Sequence, residues 1–388
     1  MAASSRRNFL AAGLALPAAG TAAVKRLEPA GAPAALSLAA PKELKFGQLG
    51  KTGLKVTRVA FGTMVTSDQS VVEKAIDMGI NYFDTAVSYQ GGNCEAMVGA
   101  AIKGKRQKLV ISTKSQREEK ESALADLETS LKRLGTDYVD IWYIHAKSRA
   151  EQLTEGRLEA QEIAKKKGMI RFSGVSTHSG FDNIIPAAIK SGKIDVILTA
   201  YNFTMGSQID DLLAQAKRAG VGVVAMKVMA GGFRRVKPGS KLGDTLKKEG
   251  AMMAALKWVL RNQNVDTAIP SITDMDQLEE DMRCMWEPFT ERDQQILAQQ
   301  MEFIRPLYCR SCGHCEELCP KGLPVSDLVR FAMYADGYGQ YGLGRERFLE
   351  LPEEIRSVRC RDCKECTVKC PNGVAVVDRL IRAQELFG

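Results

Sequence analysis

Between about residues 43 and 303 the sequence alternates eight times between short β-rich runs and helical stretches. The runs are Val56–Thr63, Asn81–Ala86, Leu109–Lys114, Val139–His145, Ile170–Thr177, Val196–Asn202, Val221–Val228 and Thr267–Ile272. Amphipathic segments such as Ser122–Leu134 and Gln152–Lys167 lie between them. The runs are apolar through most of their length, as parallel strands buried on both faces must be. Eight such units in roughly 250 residues predict a (β/α)₈ barrel. A doubly wound sheet competes, but it would carry a G-x-G-x-x-G turn after its first strand, and none is present there. The preceding segment Leu44–Thr57, with Gly47, Gly50 and Gly53, predicts a hairpin closing one end of the barrel.

In such barrels the chemistry sits at the C-terminal ends of the strands. Asp84 ends the second run, with Tyr89 just beyond; Lys114 ends the third and His145 the fourth. Three consecutive strands thus deliver four polar groups to one rim. A free phenol has a pKa of about 10 and transfers protons poorly at neutral pH. A nearby ammonium favours phenolate, and a carboxylate keeps that ammonium charged and aimed. With a histidine in reach of the same oxygen, the set would protonate an oxyanion as hydride reaches a carbonyl carbon.

The stretch Phe83-Asp84-Thr85-Ala86-Val87-Ser88-Tyr89-Gln90-Gly91-Gly92-Asn93-Cys94-Glu95 resembles the signature of the aldo-keto reductase superfamily. Asp84, Tyr89, Lys114 and His145 match that family's catalytic tetrad one for one. The resemblance covers roughly residues 44–303. It implies Tyr89 as general acid/base, Lys114 and Asp84 as its tuning pair, His145 as orienter of the carbonyl, and NAD(P) across the strand ends. The positions it implies for that cofactor are Gly62, Thr63, Asp84, Ser176, Thr177, Tyr201, Met226, Lys227, Ser271 and Asp281. Several depart from the family's habit: Thr177 replaces the usual Asn, Leu198 a common Gln, and Met226 an aromatic. No Lys or Arg lies between Ser271 and Asp281, so no seat for a 2′-phosphate is evident there. Arg234, Arg235 and Lys237 either clasp a pyrophosphate or form solvated surface. Lys227 is an unusual charge near the rim, without a firm role.

Eight of the ten cysteines fall in two runs of one spacing, C-x₂-C-x₂-C-x₃-C-P, within the last 80 residues. The first is Cys309, Cys312, Cys315 and Cys319; the second is Cys360, Cys363, Cys366 and Cys370. This is the bacterial two-cluster ferredoxin spacing, in which the fourth cysteine reaches the other cluster. Two [4Fe–4S] clusters are therefore expected, one on Cys309, Cys312, Cys315 and Cys370, the other on Cys360, Cys363, Cys366 and Cys319. Zinc sites usually come as two C-x₂₋₄-C pairs, and a disulfide framework is not needed in a chain long enough to bury a core. Helical stretches at Val325–Ala335, Arg345–Leu351 and Val374–Phe387 predict a mainly helical module. Cys94 and Cys284 read as buried thiols, and His314 as a surface neighbour.

At the start, Arg6-Arg7-Asn8-Phe9-Leu10 precedes a short Ala-rich apolar run, resembling a twin-arginine export signal. The expected division is a leader and linker over 1–40, the barrel over 41–303 and the iron–sulfur module over 304–388. The twin-arginine machinery carries folded proteins, so the expected location is periplasmic, or the outer face of the cytoplasmic membrane, without a transmembrane anchor. The charge of +8 on 388 residues gives no reason to expect a nucleic-acid partner. Two functions follow. One is an oxidoreductase acting on a small carbonyl or alcohol, exchanging electrons with a redox partner through its clusters. The other is an exported electron-transfer protein whose barrel serves as a binding scaffold.

Overall fold

The computed structural model describes residues 43–231 and 250–388. Arg6, Arg7, Arg234, Arg235 and Lys237 lie outside the described residues. Two antiparallel strands, β1 (Phe46–Gln48) and β2 (Lys55–Thr57), form the hairpin. Eight parallel strands follow: β3 (Phe61–Gly62), β4 (Tyr82–Asp84), β5 (Val110–Ser115), β6 (Val139–Ile144), β7 (Ile170–Thr177), β8 (Val196–Ala200), β9 (Gly222–Met226) and β10 (Thr267–Ala268). They pair in sequence order, and bridges from Val59 to Ala268 and from Gly62 to Ser271 close the ring. The chain is a (β/α)₈ barrel followed by a helical region that carries the two cysteine runs.

The first predicted run is in fact two strands. Lys55–Thr57 belongs to the hairpin, and only Phe61–Gly62 enters the barrel. Arg58 marks the break, its guanidinium donating to the carbonyls of Leu260 and Val265. Gly62 is required at the closure: a Cβ there would meet the Ile269 carbonyl oxygen at 2.9 Å. Leu49, Leu54 and Val56 of the hairpin pack into the interior with Ala60, Tyr82, Val110, Ile141, Leu198 and Val224. The hairpin thus plugs the N-terminal end, and the opposite rim is left for chemistry. Outward-facing strand residues pack against the helical layer in a second, larger core.

Beyond residue 304, the helices Val325–Asp336, Tyr341–Leu349 and Val376–Phe387 surround Leu328, Phe331, Phe348, Leu380 and Phe387. The middle helix begins earlier than its predicted Arg345. Gly344 lies inside it because the turn passes close to Phe331 and Phe387; a Cβ there would meet the Phe387 ring at 2.5 Å. The module is seated on the barrel. Met333 and Tyr308 share a core with Phe203, Met252 and Ile304. Gly337 passes so close to Gly231 that a Cβ would stand 2.5 Å from its carbonyl oxygen. Asn202, just past β8, donates from its amide to the Tyr308 hydroxyl at 3.0 Å and to the Lys227 carbonyl at 3.1 Å.

Candidate active site and cysteine cradle

Three strand ends bring the four tetrad positions to one rim. Asp84 closes β4, Lys114 lies in β5, His145 follows β6, and Tyr89 opens a 3₁₀ turn, Tyr89–Gly92. The Lys114 ammonium donates to Asp84 Oδ2 at 2.5 Å and to the Thr85 carbonyl at 2.6 Å. Ser112 Oγ donates to Asp84 Oδ1 at 2.6 Å, and the Tyr82 and Tyr143 hydroxyls continue the network below. Burial pushes the Asp84 carboxyl up and the Lys114 ammonium down, and their contact resists both shifts. The loop carrying Tyr89 is tied down by buried Glu95, which accepts from Thr113 at 2.6 Å and pairs with Arg133 at 3.3 Å. Arg133 also donates to the Val87 carbonyl.

Tyr89 and His145 meet edge to face, ring centroids 6.0 Å apart, and His178 lies 6.4 Å beyond His145. Lys114 Nζ lies 4.8 Å from the centre of the Tyr89 ring, so it meets the ring face while its hydrogen bonds go to Asp84 and Thr85. The sequence led us to expect Lys114 to favour the phenolate. Instead, burial above all, then the Asp84 charge, pushes the Tyr89 phenol up, and Arg347 pulls the other way. Burial holds both histidines neutral, well below their usual range. Each has a buried Nδ1 with no hydrogen-bond partner.

A cavity of about 1580 Å³ opens over these groups. Of the expected cofactor residues, Gly62, Thr63, Asp84, Met226, Lys227 and Ser271 line it. Ser176, Thr177, Tyr201 and Asp281 do not. Ser176 Oγ accepts from Ala146 N at 2.8 Å and so holds the turn behind His145. Thr177 donates to the Ser179 carbonyl at 2.7 Å. Tyr201 turns outward against Trp258 and donates to Asp210, because the alternation that points Leu198 inward sends it to the helical layer. Asp281 is buried off the cavity. The helix Met275–Arg283 presents Asp276, Glu279, Glu280 and Arg283 instead. Arg283 was missed by a reading that stopped at Asp281, although it continues the i, i+3, i+7 face begun at Asp276. Gln90, Ala146 and Lys227 line the cavity with φ of 49°, 56° and 56°, strain of the sort that functional sites hold. Burial and the Arg330 charge push the Lys227 ammonium down to about 7.

In the module, Cys309, Cys312, Cys315 and Cys370 ring one small hollow. Cys319 is the thiol whose charge weighs most on Cys360, followed by Cys366 and Cys363. The expected crossed ligation would draw one ligand set from each of these groups. Ser311 N donates to Cys309 Sγ at 3.3 Å, and Asn372 Nδ2 to Cys312 Sγ at 3.4 Å, bonds that suit a thiolate-held cluster. Among the described residues, no three His, Cys, Asp or Glu side chains converge on a single-ion site. Cys94 and Cys284 are buried and His314 is exposed.

Comparison with known proteins adds two family matches. The aldo/keto reductase family matches residues 58–301, and a 4Fe-4S dicluster domain matches residues 308–375. L-galactose dehydrogenase of Arabidopsis thaliana is 28% identical over 306 residues, covering 68% of this chain and 96% of its own. The uncharacterized oxidoreductase YqkF of Bacillus subtilis is 28% identical over 220 residues, 52% of this chain and 71% of its own. Among solved structures, the holo form of the aldo-keto reductase AKR11C1 from Bacillus halodurans superposes with a TM-score of 0.57. It is 26% identical and covers 66% of this chain and 96% of its own.

Proposed function

The chain belongs to the aldo/keto reductase family and carries a 4Fe-4S dicluster domain, and from that premise we propose that it reduces a small carbonyl compound, or oxidises the matching alcohol, with Tyr89 as general acid/base. The observation that carries the reading is the gathering of Asp84, Tyr89, Lys114 and His145 under one cavity. In this reading a carbonyl oxygen lies between the Tyr89 hydroxyl and the His145 ring. Neutral His145 can hydrogen-bond that oxygen without drawing off its proton. The Lys114 ammonium, held by Asp84 beneath the Tyr89 ring, offsets charge that develops on the phenol.

Gly62, Thr63, Met226, Lys227, Ser271 and Arg283 would hold NAD(P) along the cavity. When bound, that cofactor supplies the hydride. The eight run cysteines would hold two clusters, whose chemistry is one-electron transfer to or from an outside redox partner. The paired arginines at Arg6 and Arg7 support export by the twin-arginine route and work outside the cytoplasm.

Tyr89→Phe in the anaerobically purified full chain tests the proposal. We expect loss of about a thousandfold in carbonyl turnover across a panel of small aldehydes, with the iron–sulfur absorbance intact. Unchanged turnover would overturn the assignment.

A further inference from the structure

Among the described residues, part of the wall around Tyr89 comes from the C-terminal module. Tyr334 and Arg330 on the helix Val325–Asp336, and Arg347 on the helix Tyr341–Leu349, line the same cavity as Tyr89, His145 and His178. Each arginine has an acidic partner three residues away, and in each pair the cation lies inward. Arg347 is 23% exposed where Glu350 is 52%; Arg330 is 24% where Asp327 is 40%. Solvent screens the outer carboxylates more than the inner guanidiniums. The Arg347 charge bears on both Tyr89 and His145. The tetrad's own carboxylate, Asp84, is already taken by Lys114 and Ser112. Among the described residues, the remaining acidic lining belongs to the segment Asp274–Glu280, to half-buried Asp327 beside Arg330, and to exposed Glu346 and Glu350. The space over the tetrad therefore combines the proposed carbonyl site with an inward cation and two neutral histidines.

We infer that Arg347 anchors an oxyanion, carboxylate or phosphate, on the carbonyl substrate, so that the iron–sulfur module sets the substrate class of the barrel. The inference rests on the proposed carbonyl chemistry and narrows it. A guanidinium fork matches either oxyanion, with paired hydrogen bonds that a neutral substrate cannot return. Arg347 is a specificity residue in this account: it holds the far end of a substrate whose carbonyl faces Tyr89.

The test uses the full-length, cluster-loaded protein and three probes: 4-carboxybenzaldehyde, 4-formylphenyl phosphate and the neutral methyl 4-formylbenzoate. Affinity is read by calorimetry and turnover separately. Arg347→Gln should weaken one or both oxyanion probes by about tenfold to a hundredfold, and which one weakens identifies the oxyanion. The ester should change by less than about threefold, and Arg347→Lys should recover part of the loss. Equal loss on acid and ester would overturn the proposal in favour of a structural role. So would a wild type that binds the ester as tightly as both anions, or a selective loss of nicotinamide dinucleotide binding. If the wild type selects the anions yet turns none of them over, the carbonyl reading falls and the anion site stands. The Tyr89→Phe protein should keep the anion preference while losing turnover.

Discussion

At the residue scale, the site is a set of buried groups held by neighbours that have no other outlet. Asp84 and Lys114 each lose hydration and are kept by one another, by Ser112 and by a backbone carbonyl. Removing only one partner of such a pair leaves a stranded charge. His145 and His178 are held neutral by burial, reinforced by Lys114, Arg347, Lys227 and Arg330. The sign of the pH dependence follows. Above about pH 6.5 neither folded nor unfolded histidine carries a proton, and the stability is fully present. As pH falls below that value the unfolded chain takes up protons that the folded one refuses. Stability should decline by about 1.4 kcal/mol per pH unit for each histidine. Denaturant titrations between pH 7 and 5 should show a slope shallower by about that amount in His145→Gln and again in His178→Gln; an unchanged slope would contradict the burial. The tetrad was legible in the sequence because each member ends an apolar run or stands just past one. Tyr201 stands just past its strand, Val196–Ala200, but the alternation turned it away. Arg347 had no local signal, since only the folded module brings it over Tyr89.

At the element scale, the alternation of apolar runs with amphipathic helices revealed the barrel and its order, because both periods were strong. What it blurred were junctions. The first run crosses from hairpin to barrel at Arg58, whose side chain anchors the crossing to residues some 200 positions away. The turn before the predicted Arg345 start is helical too, and close packing against Phe331 and Phe387 favours glycine at Gly344. The cysteine runs were legible from spacing alone, and the structure adds their neighbourhoods. The Cys319 charge bears more on Cys360 than that of any other cysteine. With the proposed crossed ligation, Cys319→Ser should weaken the cluster assigned to Cys360, Cys363 and Cys366 while the other survives. Electron paramagnetic resonance of the reduced protein would distinguish the two, and loss of the first-run cluster alone would refute the crossing.

At the scale of the whole molecule, the cleft belongs to both parts of the chain. The barrel supplies the floor and the iron–sulfur module the roof, and their spacing is set where Gly337 meets Gly231. A methyl group at Gly337 would also face the Met333 carbonyl oxygen at 2.9 Å, leaving little room to yield. Gly337→Ala should cost about 1–3 kcal/mol and raise KM more than it lowers kcat. Gly342→Ala, on the same roof but with open space around it, should leave stability near wild type. Thermal melts and steady-state kinetics of the two variants check this, and equal behaviour would show that the seam does not set the roof.

The Asn202 amide commits its two protons to opposite parts of the molecule, one to Lys227 at the strained rim and one to Tyr308, which adjoins Cys309. The parts are therefore not a catalyst with a detachable passenger. Truncating the chain near residue 303, where the sequence suggests a clean cut, would break the Asn202 bridge at the barrel rim. It would leave an open cup: strands in place, one arm of Asn202 empty, and the reaction floor exposed to bulk water.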